Sequence, residues 1–120
     1  MSGFPIKLAV ASTDGVSINE HFGHAKQFRI YDASPESCDF LETREAAHYC
    51  LGQHSDESAM SGILAAIKDC HAVFVARIGT GPTDKVHAIG VRAVSEYAYA
   101  AIEESLLDYT RRTAAGENIG

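Results

Sequence analysis

A chain of 120 residues with no long Pro-, Gly- or Ser-rich stretch is the size of one domain, and its 46% hydrophobic share suffices for a single core without staples. Its formal net charge of -6 excludes the basic face that general nucleic-acid binding requires. Three cysteines, Cys38, Cys50 and Cys70, are odd in number and fit no small disulfide framework. Residues Met1 to Lys7 lack the apolar core of a signal peptide, and no stretch approaches membrane-spanning length, so a reduced cytoplasmic setting is expected.

The apolar run Ile6 to Ser12 has the pattern of a buried strand, ended by the turn Thr13-Asp14-Gly15. Phe28 to Asp32 alternates apolar and polar residues, which predicts a strand with one face covered. After the turn Ser34–Ser37, Phe40 to Ala47 is expected to return antiparallel as a third strand. Met60, Ile63, Leu64 and Ile67 then fall at helical spacing, with Ser55 or Asp56 as N-cap. Ala72 to Ala76, apolar throughout, reads as a central strand. It leads through the loop Arg77–Pro82 to a short helix, Thr83 to Ile89, closed by Gly90. Val91 to Val94 makes a last strand, and Ser95 is expected to cap a long helix with Ala98, Ile102, Leu106 and Tyr109 on its buried stripe. The helical pattern dissolves at Thr110, which divides the chain into a domain over 1–109 and a loose tail over 110–120.

Three antiparallel strands followed by strand–helix–strand–helix imply one α/β domain. Right-handed crossovers place the fourth strand beside the first and the fifth outside it. The expectation is a ribonuclease-H-like mixed five-stranded sheet of order 3-2-1-4-5 with flanking helices.

Chemistry concentrates in three connections. Asn19 to Ala25 sets the imidazoles of His21 and His24 three residues apart around Gly23, in a segment without a hydrophobic period. Such a loop is expected to be exposed, and loops on a rigid scaffold carry binding chemistry. His21 alone reads equally as a turn histidine bonded to backbone. Phe22 is expected to plug the core beneath the loop, and Gly23 to supply a positive φ. His48 to His54 adds the Cys50 thiol beside Tyr49 and Gly52, ahead of a helix start that favours a thiolate. His54 and His48 are further candidates, with solvated loop residues as the competing reading. Cys70 reads as packing, Cys38 as a bystander in a surface turn, and His71 and His87 as structural or surface residues. Imidazole and thiolate suit iron, copper, zinc or a metal–sulfur cluster better than magnesium or calcium. The third connection, with Arg77, Gly79 and Gly81, can present backbone N–H groups to an anion, or is a plain β–α loop.

Val10-Ala11-Ser12 with Asn19-Glu20-His21-Phe22-Gly23-His24-Ala25-Lys26-Gln27-Phe28-Arg29-Ile30-Tyr31 resembles the signature of the dinitrogenase iron–molybdenum cofactor biosynthesis family. This is the NifX/NafY type, also found as the carboxy-terminal domain of NifB. Tyr49 to Gly52, Val73 to Gly79 and Ala88 to Val91 match it in order, so the resemblance spans about Ile6 to Leu107. It implies a small non-enzymatic carrier that binds an iron–sulfur cluster, the iron–molybdenum cofactor or its precursor, and passes it to a partner. The partners implied are nitrogenase cofactor-assembly proteins, a scaffold or apo-dinitrogenase, with no nucleic acid or membrane and with the carrier a monomer or weak dimer. On that resemblance the cofactor-binding set is His21, Phe22, Gly23, His24, Cys50, Arg77 and Gly79, and the metal ligands are His21, His24, Cys50 and His54. The radical chemistry of NifB uses three closely spaced cysteines, which the dispersed Cys38, Cys50 and Cys70 do not supply.

Two other readings share the fold. One is a relative resembling the orange protein, carrying a molybdenum–copper sulfide cluster. The other is a ribonuclease-H-like metal-dependent nuclease, which needs converging carboxylates where the chain offers only the turn-edge Asp14 and Asp32. The topology also predicts that the His21, Cys50 and Arg77 loops all leave the sheet at one edge.

Overall fold

β1 (Ile6–Val10) is apolar because both its faces are covered: Leu8, Ala9 and Val10 are fully buried. The computed structural model describes residues 5–22, 25, 27–45 and 56–116. After β1 come β2 (Gln27–Ala33) and β3 (Cys38–Glu45), both antiparallel to their neighbours. Then follow α1 (Asp56–Ile67), β4 (Ala72–Phe74), α2 (Thr80–Ala88), β5 (Arg92–Val94) and α3 (Ile102–Ala114). The sheet order is β3-β2-β1-β4-β5, with β4 and β5 parallel to β1, as the ribonuclease-H-like reading expects.

Alternation along β2 divides the core. Phe28 and Ile30 face α1 and α2 with Ala9, Ile63, Ile67, Val73 and Val86. Tyr31 and Ala33 face the other way with Leu8, Phe74, Ile102, Leu106 and Tyr109, the layer that α3 covers. There Phe74 meets Tyr109 edge-on at 5.0 Å, a favourable aromatic geometry.

Several boundaries differ from expectation, each for a local reason. Ser34 N–H closes the turn onto Ser37 O at 2.7 Å, so β3 starts at Cys38 rather than Phe40. Cys38 is therefore a half-buried strand residue packed on the α3 layer, not a bystander in a turn. α2 begins at Thr80, three residues early, because Pro82 falls in the first turn, where its missing N–H costs nothing. The last helix is not capped by Ser95: residues 96–99 form a turn, Ala98 lies outside the helix, and α3 opens after Ala101. It then runs to Ala114, past Thr110. Thr110 is buried and its hydroxyl donates to Ser34 O at 2.9 Å, while Arg111 Nε donates to Pro35 O at 3.0 Å. The β2–β3 turn thus clamps the helix where periodicity alone suggested an end.

Arg44 ties β3 to the α1–β4 connection. Its guanidinium donates to Asp69 through both terminal nitrogens, at 2.6 and 3.1 Å, and to Ala66 O at 2.9 Å. Arg44 and Lys7 hold the Asp69 carboxyl down at about 2. A lowered carboxyl pKa stabilises the fold above the unfolded value and ceases to do so as pH falls through the folded one. Asp69 is half-exposed, so screening limits the effect to about 1 kcal/mol. Asp69→Asn is therefore expected to lose about that much at pH 7 and to match the parent near pH 2, as urea denaturation at both pH values would establish.

Candidate functional site

The carboxyl ends of β1, β3, β4 and β5 share one edge of the sheet, since Val10 pairs with Phe74, Phe74 with Val94, and Glu45 with the first residue of β2. β1 turns outward to β2 and β4 turns the opposite way to β5, so the edge between them is a topological switch point, where open α/β sheets form a crevice.

The connection from β1 to β2 is held on both sides of that crevice. Its first turn is built on Asp14, whose Oδ1 accepts from Val16 N–H at 2.8 Å, Ser17 N–H at 3.1 Å and Ser12 Oγ at 3.1 Å. The two backbone N–H bonds hold the Asp14 carboxyl below its ordinary value. Ile18 then pairs with the β5–α3 connection: its N–H donates to Ala100 O at 3.0 Å, and its carbonyl accepts from Tyr99 N–H at 2.8 Å. Two residues on, the chain pairs with the end of β4. Ala76 N–H donates to Glu20 O at 2.8 Å and Phe22 N–H to Arg77 O at 2.8 Å, making a parallel bridge between His21 and Arg77.

This loop is less open than its lack of period suggests. Ile18 and Phe22 are fully buried, and Phe22 packs on Phe28 with ring centroids 6.2 Å apart. The Phe22 ring is thus a core plug, and its part in any ligand set is to position the backbone. His21, between that plug and Arg77, is half-buried, and Arg77 is exposed. Arg77 leads into Gly79 and the first turn of α2, which carries no acidic side chain.

Neither glycine of that turn is demanded by the fold. Gly79 has extended backbone (φ −80°, ψ 169°), and a Cβ on it would only reach ordinary contact with Pro82 Cδ at 3.6 Å. A Cβ on Gly81 would meet nothing within 4 Å, although glycine inside a helix costs roughly 0.5–1 kcal/mol against alanine. The backbone there stands open to whatever approaches it.

The remaining candidates divide clearly. His21, Phe22, Arg77 and Gly79 are brought together at the switch point. Gly23, His24, Cys50 and His54 lie outside the described residues, as do His48, Tyr49 and Gly52; the strand leading toward Cys50 ends at Glu45 on this same edge. Cys70 is buried, and burial pushes its thiol up to about 12; burial also raises Cys38, with Glu103 and Asp39 adding to it. Among the described residues no group of three or more His, Cys, Asp or Glu could hold a metal ion, so the nuclease reading gains no carboxylate cluster. No helix of the described residues is long and apolar enough to cross a membrane.

Fold and edge together define a ribonuclease-H-like α/β domain whose topological switch point sets the backbone of His21 beside Arg77 and the start of α2. The family described as dinitrogenase iron-molybdenum cofactor matches residues 5–112, and the chain belongs to it. The FeMo cofactor biosynthesis protein NifB of Herbaspirillum seropedicae is 38% identical over 120 residues, 97% of this chain and 23% of that protein. NifB of Bradyrhizobium diazoefficiens is 40% identical over 111 residues, 92% of this chain and 22% of that protein. The chain thus spans less than a quarter of the length of these relatives. Among solved structures, the apo form of the orange protein from Desulfovibrio gigas shares the fold with a TM-score of 0.61 and 14% identity, covering 97% of this chain and 93% of that one.

Because Phe22 carries the loop on a fully buried ring, Phe22→Ala is expected to cost about 3–5 kcal/mol. An unfolding free energy, from urea denaturation, lowered by less than about 1 kcal/mol would mean the loop is held by its backbone bonds alone.

Proposed function

We propose that this chain is a non-catalytic carrier in iron–molybdenum cofactor biosynthesis, acting in the cytoplasm as a monomer or weak dimer. It binds an iron–sulfur cluster, the cofactor or its precursor, at the switch-point crevice and hands it to a cofactor-assembly scaffold or to apo-dinitrogenase. The observation that carries the reading is the parallel bridge that sets His21 beside Arg77 over the open first turn of α2, in a chain of this family.

The chemistry follows from those parts. A neutral imidazole suits iron, so His21 is the first ligand, with His24, Cys50 and His54 as the others on the neighbouring connections. Clusters of this class are anionic, while the chain carries -6. Arg77 and the positive end of α2, which starts at Thr80 and Gly81, offset that repulsion locally. Gly79 and Gly81 admit a bulky anion against the backbone. Cys50 is the thiol assigned to the site, because Cys70 and Cys38 are both held in their protonated, unreactive form.

Protein purified without oxygen is expected to contain iron and sulfide. Molybdenum with copper in place of iron would assign the orange-protein type of cargo instead. His21→Ala is expected to weaken retention of added iron–molybdenum cofactor about 10–100-fold with the melting temperature nearly unchanged. Full retention, or collapse of the fold, would reduce His21 to a turn residue. Gly81→Ala separates the crevice from the scaffold. It should stabilise the empty protein by roughly 0.5–1 kcal/mol and weaken cofactor retention, whereas a stabilised variant with unchanged retention would leave the α2 start out of the site. Iodoacetamide should label Cys50 first in the empty protein and slowly once cofactor is bound; protection of Cys70 in its place would overturn the thiol assignment.

A further inference from the structure

Tyr99 stands out against the rules the rest of the chain obeys. It is the one non-glycine among the described residues with positive φ, at 65°. Left-handed backbone is uncommon for a bulky side chain, which pays for its Cβ, and glycine or asparagine is the ordinary occupant. Packing does not explain the choice, since the side chain is 65% exposed and fills no core. Residues held in strained conformations with no return in packing cluster at functional sites, and the inference runs from the observed outlier to a role.

Its place supplies the role. Tyr99 lies in the connection between β5 and α3, at the same sheet edge as His21 and Arg77. Its N–H donates to Ile18 O at 2.8 Å, so it is tied directly to the loop that carries His21. His21 lies three residues after Ile18, a span of at most about 10 Å, and the Tyr99 backbone is therefore within roughly 13 Å of His21's. A cluster seated on His21 and Arg77 bridges much of that distance.

The geometry points to Tyr99 as a further wall of the cargo crevice, its left-handed backbone presenting an exposed phenol that covers the bound cluster and donates its O–H to an anionic sulfide or oxygen. This rests on the carrier reading of the His21–Arg77 edge. The interaction is a hydrogen bond and ring contact, with no bond made or broken. It also gives the strain a purpose: a relaxed residue here would stabilise the empty protein and lose the contact.

The test compares Tyr99→Gly, Tyr99→Phe and His21→Ala in the full chain. The probe is isolated iron–molybdenum cofactor added without oxygen; iron retained after gel filtration and the melting temperature of the empty protein are both read. Tyr99→Gly should melt at or above the parent temperature and still bind about tenfold more weakly, a combination that a purely structural residue does not give. Tyr99→Phe should bind less tightly than the parent and melt with it, because the strain is kept and only the hydroxyl is lost. Parent-like retention by Tyr99→Gly, beside loss in His21→Ala, would overturn the role of Tyr99 and leave the carrier reading standing. Parent-like retention in both would overturn the two together, and a lowered melting temperature in Tyr99→Gly would make Tyr99 a scaffold residue.

Discussion

The edge of this fold depends on how the β1–β2 connection is pinned. That connection leaves one of the central strands and must cross to the start of β2, a path on which nothing in its own pattern fixes it. Among the described residues five backbone hydrogen bonds do so, two between Ile18 and the Tyr99–Ala100 segment, one from Ile102 N–H to Val16 O, and two joining Glu20 and Phe22 to the residues after β4. Each alone is worth about 1 kcal/mol net, but they work with the burial of Ile18 and Phe22, which excludes competing water. His21 lies between these anchors, so its backbone is set by the sheet although its own side chain contributes little to the core. A half-buried imidazole on a rigid support is what a binding site needs: little reorganisation on binding, and a path to solvent for release.

The two layers of the sheet explain why the pinning is possible. α1 and α2 cover one face and α3 the other, so β4 ends between a helix that starts above one layer and a connection that crosses to the other. The β1–β2 connection runs through that gap, touching both. A sheet with all its helices on one face would offer only one side to hold it.

How much of this was legible in the sequence follows from the range of the interactions. Strand order was legible, because apolar runs, alternation and right-handed crossovers are local or nearly so. The buried stripe of α3 was also legible from Ile102, Leu106 and Tyr109, all fully buried. The start of that helix was not. Residues Glu96 to Ala101 are helix formers, and only the distant carbonyl of Ile18 and that of Val16, which accepts from Ile102 N–H at 2.9 Å, explain why the backbone breaks at Tyr99. The extension to Ala114 likewise depends on Ser34 and Pro35, far away in the chain. For the site, His21 and Arg77 were recognisable by type and by the ends of their strands, and their direct pairing was not. Ile18 and Phe22 illustrate the reason: a loop without periodicity reads as exposed, yet two isolated apolar residues, both fully buried, anchor it to the core. Phe22 was legible as a core plug from its place in the loop, and Ile18, the apolar residue on the other side, was the signal left unused.

The distribution of locally unfavourable choices says where selection has acted on something other than stability. At the edge opposite the crevice, the turn after α2 takes Gly90 at φ 84°, the residue that conformation favours. The cost there is confined to His71, whose Nε2 is buried without a partner among the described residues and whose ring sits against Tyr109; burial keeps that imidazole neutral, so no charge is stranded. At the His21–Arg77 edge Gly15 likewise takes its φ of 73°, while two other positions run the other way. Gly81 sits in a helix that would accept a side chain, and Tyr99 sits in backbone that would prefer none. Exchanging the two preferences would stabilise the empty protein, by filling open space at one point and relieving strain at the other. Both departures lie at the sheet edge that carries His21 and Arg77. Marginal stability is tolerated where a bound partner repays it by mass action, and under the proposed carrier reading the chain spends part of its cycle loaded. Under the proposed carrier reading, Gly81 and Tyr99 are the positions at the His21–Arg77 edge where the chain gives up local stability.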